Sequence, residues 1–191
     1  AIINGETETG VTTFFIDDKI DTGAMILSKK TLINPDENAG QLHDRLMELG
    51  CEAVIETLEL IEKNNATTTT QVETEEIKTA YKLNKDNCRI DWNKSAKEIH
   101  NLIRGLSPYP CAWTTLFDDD KELNIKIYES KIIDELHNYE VGKIISSKKE
   151  IRIAVKNGFI ELISLQIPGK KKMTSKELLN GFNFGDKSFV K

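Results

Sequence analysis

The densest group of chemically useful side chains lies in a short segment, residues 17–23, between two apolar stretches. It contains three carboxylates, Asp17, Asp18 and Asp21, and ends at Gly23. Loops at the ends of buried strands often carry binding and catalytic groups, and a partly desolvated Asp21 would suit the orientation of a proton-transferring partner. The same residues are also typical of surface charges around an Asx turn, so spacing alone leaves both interpretations open.

A second candidate group is basic and lies late in the chain. Three consecutive lysines at 170–172 follow a Pro-Gly pair, and Arg104 lies near Tyr109 and Trp113 in the sequence. Lysines on a loop can follow phosphates without demanding one geometry, and aromatic rings can stack on bases. A solvated lysine surface, with the aromatic rings in the core, is the alternative interpretation.

The charge distribution separates the two halves of the chain. The net charge is −5, from 26 basic and 31 acidic residues among 191. Residues 1–80 carry 6 basic and 16 acidic side chains, whereas residues 141–191 carry 11 basic and 4 acidic ones. This asymmetry indicates two units with different partners, the second of which is able to attract a polyanion.

Several classes of protein and site are disfavoured. The three cysteines, Cys51, Cys88 and Cys111, are too widely spaced for a zinc site or a disulfide framework, and no histidine has an acid or cysteine at a meaningful spacing. No apolar run approaches the roughly 20 residues that cross a bilayer, and the first residues lack the basic segment of an export signal. A cytoplasmic protein without metal is therefore expected.

The elements that must position these groups begin with an isolated helical turn closed by Gly5. Strands are predicted over 11–16 and 24–28, and a long amphipathic helix after Asn38, with an apolar stripe from Leu42 to Ile61. Such a stripe needs a larger sheet than two strands provide. The polar, β-branched residues that follow predict an extended linker over about 65–82.

The second half predicts a short helix and a small barrel. A capping box at Ser95–Glu98 begins a helix that must end before Pro108, and a second box lies at Thr174–Glu177. Trp92 and Trp113 lie in apolar patterns and are expected in the core. Five short strands, with a hairpin turn at Asn157-Gly158, are typical of a closed barrel that presents a groove to nucleic acid or sugar; they are expected over 112–117, 123–133, 142–146, 151–155 and 159–165.

Several motifs, in order along nearly the whole chain, resemble the methionyl-tRNA formyltransferase family. The first block, Gly5-Glu6-Thr7-Glu8-Thr9-Gly10-Val11-Thr12 with Ile20-Asp21-Thr22-Gly23, is similar to a segment shared by all 10-formyltetrahydrofolate-dependent transferases. The later motifs are similar to that family's C-terminal domain and comprise Arg89-Ile90-Asp91-Trp92, Ile103-Arg104, Pro108 to Trp113, Leu165-Gln166, Gly169-Lys170-Lys171 and Leu178-Leu179-Asn180-Gly181. Among them, the series formed by Gln166, Gly169-Lys170-Lys171 and Leu178 to Gly181 is more particular to the tRNA branch.

The resemblance implies a two-part fold. Residues 1–80 would be the end of a Rossmann-like formyltransferase domain, an α/β remnant with two strands and a long helix. Residues 83–191 would form a C-terminal OB-like β-barrel with a short helix. The family's catalytic asparagine and histidine lie upstream, around a motif that this sequence does not contain. We therefore expect a fragment that is inactive alone, and possible self-association of the truncated domain.

The resemblance also implies roles for individual residues. The family's conserved aspartate corresponds to Asp21, which would hold the catalytic histidine and a water, with 10-formyltetrahydrofolate as a cosubstrate and no permanently bound cofactor. The folate pocket would be lined by Asp17, Asp18, Ile20, Thr22 and Gly23. Initiator methionyl-tRNA would be contacted by Arg104, Lys170, Lys171 and Lys172.

Two other functions compete with formylation of methionyl-tRNA. A sugar-amine formyltransferase would use the same donor and share the first block, but usually carries a variant of the Asp21 motif and lacks the Gly-Lys-Lys series. A non-catalytic RNA-binding module would use only the basic second half. The segment upstream of Ala1 discriminates best between an enzyme and a binding module.

Overall fold

The computed structural model describes residues 1–72 and 78–191. The chain divides into two compact units. The amino-terminal unit comprises Glu6–Glu37 and Gln41–Lys82, and the carboxy-terminal unit comprises Ala1–Gly5, Asn38–Gly40 and Leu83–Lys191. The first five residues, which we expected with the first half, therefore pack with the carboxy-terminal unit. Within the described residues, no helix is long and apolar enough to cross a membrane.

A two-stranded antiparallel sheet forms the base of the amino-terminal unit. Strand β1 (Glu8–Phe14) pairs with β2 (Met25–Leu32), from Glu8 opposite Leu32 to Phe14 opposite Met25. Strand β1 ends two residues before the predicted boundary, so Ile16 lies in the connecting loop and is 92% exposed. Strand β2 extends four residues beyond its prediction. The α/β remnant is thus present, with its two strands antiparallel.

Helix α1 (Ala39–Glu62) packs on this sheet by a narrow face. Ala53 and Thr57 are buried, and the Thr57 hydroxyl lies 2.7 Å from that of Thr13. The Lys29 ammonium on β2 pairs with Glu56 at 2.9 Å. Much of the predicted apolar stripe points away from this contact, since the exposed large side chains of α1 are Met47, Val54, Ile55, Leu58 and Ile61.

The first part of the predicted linker is exposed but touches β2 at one point. Thr69 and Met25 form an antiparallel bridge, with the Met25 amide donating to the Thr69 carbonyl at 2.8 Å and the reverse bond at 2.9 Å. The linker between the two units stays a prediction. Residues 73–77 of the predicted linker lie outside the described residues.

The carboxy-terminal unit begins with the predicted short helix. Helix α2 (Ala96–Leu106) starts at the Ser95–Glu98 capping box and buries Ile99, Ile103 and Leu106. The helical turn Ile2–Asn4 contacts α2 and ends at Gly5, whose φ of 74° supplies the left-handed cap. Both helix predictions are confirmed, although the first turn is a 3₁₀ helix.

A nearly closed antiparallel sheet follows α2. Its strands are β3 (Ala112–Asp118), β4 (Lys121–Ile133), β5 (Ile144–Ser146), β6 (Ile151–Val155), β7 (Gly158–Gln166), β8 (Met173–Thr174) and β9 (Phe189–Val190), and a short helix α3 (Ser175–Leu179) follows β8. The strand order is β5-β6-β7-β4-β3-β9, with β8 on β7. A bridge between Lys143 and Phe189 brings the two ends of this order together. The finer OB-like assignment stays a prediction.

The core of this unit fills the space between α2 and the sheet. The largest fully buried side chains are isoleucines, leucines and a valine of α2 and of strands β3, β4, β6 and β7. Trp92 is 3% exposed and donates from Nε1 to Thr114 Oγ1 at 2.9 Å, as expected of a core residue. Trp113 packs against the same core but is only half-buried.

Candidate functional site

The acidic loop, residues 15–24 between β1 and β2, is folded by its own side chains. The Asp17 carboxylate accepts hydrogen bonds from the Lys19 amide at 2.9 Å and from the Thr22 hydroxyl at 2.8 Å. An aspartate that accepts a bond from the amide two residues later is the Asx turn that the sequence suggested, at Asp17 rather than at Asp21. Asp17 therefore shapes the loop.

A residue distant in sequence fixes the far side of the acidic loop. The Gln71 amide Nε2 donates to the Asp21 carbonyl at 2.9 Å and to the Gly23 carbonyl at 2.8 Å. Asp21 has a φ of 57°, an uncommon conformation for a non-glycine residue, and both bonds hold its backbone there. At Gly23 a Cβ atom would lie 1.5 Å from the Phe15 carbonyl oxygen, so only glycine fits.

An open cavity of about 650 Å³ lies against this loop. Its described lining residues are Asp17, Asp18, Lys19, Asp21, Thr22, Gln71 and Val72. The structure thus brings together four of the six predicted site residues of the loop, whereas Ile20 points outward at 90% exposure and Gly23 is buried beneath the loop. The expected partial desolvation of Asp21 is wrong for this chain, because Asp21 is exposed.

The lysine loop, residues 168–172, is attached to strand β4. Gln166 accepts a hydrogen bond from the Tyr128 hydroxyl at 2.9 Å and donates to the Lys170 carbonyl at 2.7 Å. Lys172 pairs with Glu129 at 2.8 Å, and its ammonium lies 4.9 Å from the centre of the Tyr128 ring. All three lysines are exposed, so the loop presents a fixed group of positive charge.

Arg104 does not join the lysines on the outer surface. It is 8% exposed, and its Nε donates to Asn101 Oδ1 at 2.9 Å within α2. A guanidinium that is engaged in this way is not displayed on the outer surface. Arg104 therefore lies inside the unit, and its contact with tRNA stays a prediction.

Two thiols of this unit, Cys88 and Cys111, are buried. Burial raises the pKa of Cys111, and the positive charges of Lys126 and Lys172 act in the opposite direction. Burial likewise raises the pKa of Cys88. Both thiols are thus held protonated and unreactive at neutral pH. Among residues 1–72 and 78–191, no cluster of three or more His, Cys, Asp or Glu side chains could hold a metal ion.

Sequence reasoning missed three of the residues that support the two loops. Gln71 lies in a polar stretch interpreted as a linker, and Tyr128 and Glu129 lie in ordinary strand patterns. No local motif marks these three, because each acts through a partner that is distant along the chain. Gln166, in contrast, belongs to the motifs that carry the family resemblance.

Comparison with known proteins places both units in one family. A family model described as "Formyl transferase" matches residues 1–58, and a second, "Formyl transferase, C-terminal domain", matches residues 82–183. Over 190 residues the chain is 67% identical to the methionyl-tRNA formyltransferase of Flavobacterium johnsoniae, and this match covers 100% of the chain and 60% of that protein. The methionyl-tRNA formyltransferase of Bacteroides thetaiotaomicron is 43% identical, and the match covers 97% of the chain and 59% of that protein. The chain thus spans about 60% of the length of these curated relatives.

Solved structures agree with this placement. The sugar 3N-formyl transferase WlaRD, crystallised in the presence of dTDP and 5-N-formyl-THF, matches with a TM-score of 0.62 and 26% identity, over 89% of this chain and 58% of that one. HypX from Aquifex aeolicus, in complex with tetrahydrofolic acid, shares the fold with a TM-score of 0.65 and 21% identity. The match covers 93% of this chain and 31% of HypX. The chain with the acidic loop, the lysine loop and this nearly closed sheet belongs to the formyl transferase family.

Proposed function

We propose that this chain is part of a methionyl-tRNA formyltransferase, which moves a formyl group from 10-formyltetrahydrofolate to the amino group of methionyl-initiator-tRNA. The observation that carries the proposal is the 67% identity, over the whole chain, to a protein of that name. The Gly169-Lys170-Lys171 series, which the sequence links to the tRNA branch, supports the same acceptor. The reaction would serve translation initiation in the cytoplasm.

The chemistry is an acyl transfer. The methionyl amine attacks the formyl carbon, a C–N bond forms, and the bond from that carbon to N10 of the folate breaks as the amine loses a proton and N10 gains one. Negative charge develops on the formyl oxygen, and the donors that stabilise it would come from the family's asparagine and protonated histidine, which this sequence does not contain.

Asp21 would act through that histidine. Its carboxylate is exposed at the rim of the cavity, while Gln71 holds its backbone, so the side chain can accept a hydrogen bond from an imidazolium without the loop rearranging. A carboxylate in this place favours the charged form of the histidine and orients it. We therefore assign Asp21 to positioning within the catalytic set.

The acidic loop would form one wall of the folate pocket. Asp18, Thr22 and the backbone near Ile20 are accessible, whereas the Asp17 side chain and Gly23 maintain the loop conformation. WlaRD was crystallised with 5-N-formyl-THF and HypX with tetrahydrofolic acid, which supports a folate at the related position here. The three exposed lysines of the lysine loop would contact tRNA phosphates; Arg104 is left out because it is buried.

A sugar-amine formyltransferase is the second candidate, and the 26% identity to WlaRD favours it. The test uses the complete protein with 10-formyltetrahydrofolate and two acceptors, initiator methionyl-tRNA and a dTDP-linked amino sugar. We expect transfer to methionyl-tRNA and none above background to the sugar, with uncharged tRNA as the control. Preference for the sugar, or no transfer to either acceptor, would contradict the proposal.

A further inference from the structure

A second cavity, of about 530 Å³, lies in the carboxy-terminal unit and has no role in the formyl transfer described above. We call it the aromatic pocket. Its volume falls in the usual range of small-ligand sites, about 300–1,000 Å³. Its lining residues come from the segment before α2, the turn after α2, and strands β3 and β4; they are Leu83, Asn84, Lys85, Cys88, Tyr109, Pro110, Cys111, Trp113, Asn124 and Lys126.

Two aromatic side chains line this pocket. Tyr109 is 85% exposed between Pro108 and Pro110, which restrict the backbone on both sides. Trp113 is half-buried and packs against the core, and its indole Nε1 donates to the Lys85 carbonyl at 2.7 Å, which fixes the ring plane. An exposed ring beside a cavity offers an apolar face on which a planar ligand can stack.

The charged residues that line the pocket are both basic, Lys85 and Lys126. The Lys85 ammonium and the Arg89 guanidinium lie 5.2 Å and 5.4 Å from the centre of the Trp113 ring. Among the described lining residues there is no aspartate or glutamate. Lys126 lies on β4, the strand whose Tyr128 and Glu129 contact Lys172 of the lysine loop.

Amide groups in the lining can read a base edge. The side-chain Oδ1 of Asn124 accepts a hydrogen bond from the Thr115 hydroxyl at 3.1 Å. The side-chain Oδ1 of Asn84 accepts from the backbone amides of Asp86 and Asn87. With the oxygens engaged, the NH₂ groups of both side chains are the donors left to face a ligand.

We propose that the aromatic pocket binds one unpaired nucleotide of an RNA, with its base stacked on Tyr109 beside Trp113 and its phosphates near Lys85 and Lys126. The proposal rests on the proposed function in so far as tRNA is the RNA supplied in the cell. A base inside a duplex is already stacked on its neighbours and cannot enter, so the pocket selects a single-stranded position. An acidic peptide would satisfy the lysines but would make no use of the two rings.

The test measures binding of the 191-residue chain to a fluorescent, unstructured oligouridylate of ten nucleotides and to an RNA duplex of equal length. We expect tighter binding of the single strand, with quenching of tryptophan fluorescence. Tyr109→Ala should weaken binding of the single strand by about 5- to 150-fold, the effect of one stacked base. Tyr109→Phe, which keeps the ring, should bind like the parent.

Further variants separate stacking from charge. Lys126→Gln should reduce the log-log salt slope by about 0.7, the single-strand value for one phosphate, whereas Tyr109→Ala should leave the slope unchanged. Tyr139→Ala removes an exposed tyrosine that does not line the pocket and should have no effect. Binding by Tyr109→Ala equal to the parent, no binding of oligouridylate, or equal competition by polyglutamate would each overturn the proposal. The formylation assay of the complete protein tests the proposed function, and this RNA titration tests the aromatic pocket. The two results are independent, so either proposal can fail while the other stands.

Discussion

Removing two lysines of the lysine loop should change tRNA binding by an amount that the structure sets. Lys172 already pairs with Glu129 at 2.8 Å, so a phosphate must compete for it, whereas Lys170 and Lys171 are exposed beside it. Each phosphate contact contributes about 0.7–0.9 to the log-log salt slope. Lys170→Ala/Lys171→Ala should therefore flatten the slope by about 1.4–1.8 and weaken binding about 15- to 30-fold at 0.15 M salt.

The assay is a filter-binding titration of the 191-residue chain against tRNA at several salt concentrations. The matched control is Lys131→Ala/Lys156→Ala, two exposed lysines on β4 and in the β6–β7 turn. The control should keep the parental slope, because both lysines lie toward the end of β7 that is opposite to the lysine loop. An unchanged slope in Lys170→Ala/Lys171→Ala, or the same loss in the control, would show that the lysine loop is only a solvated surface.

The 191-residue chain alone should not formylate methionyl-tRNA, because the family's asparagine and histidine are not in its sequence; turnover by the purified chain would refute this. The chain should self-associate through the exposed face of α1, so Val54→Ser/Leu58→Ser should lower the sedimentation coefficient, and a monomeric parent would refute it. Hydrogen bonds from the Ser95 hydroxyl and amide lower the pKa of Glu98. The ionised Glu98 carboxylate therefore stabilises the folded unit above the ordinary glutamate pKa, and this contribution to the free energy of unfolding is lost as pH falls through the lowered pKa. Thermal melts between about pH 6 and 3 should show this decline, and Glu98→Gln should flatten it.

Local signals predicted the elements of the carboxy-terminal unit well. Both capping boxes form, and the turn of the β6–β7 hairpin lies within one residue of its prediction, at Lys156 and Asn157. These features depend on neighbours in sequence. The short strands β8 and β9 were missed, because two-residue strands have no periodicity and exist only through their partners on β7 and β3.

Long-range contacts limited what the sequence could say about the candidate site. The acidic loop was found from its residue types, but its clamp by Gln71 joins residues about fifty positions apart. The burial of Arg104 was not foreseen, because a basic residue at a helix end is usually solvated, whereas here Asn101 holds it inside the unit. Trp113 packs against the core as its apolar pattern predicts, but that pattern does not reveal that part of the ring lines a cavity.

The turnover number of Asp21→Asn in the complete protein tests the central claim most directly. An amide keeps the shape of the side chain but stabilises an imidazolium less than a carboxylate does, so kcat should fall by about 100-fold or more with little change in KM. In this variant the decline of kcat at high pH should begin at a lower pH than in the parent. Without the carboxylate, the pKa of the catalytic histidine is lower, so the histidine loses its proton more readily. Asp120→Asn, in the exposed turn between β3 and β4, is the control. A near-normal kcat with an unshifted pH profile in Asp21→Asn would contradict the assignment of the acidic loop to formyl transfer.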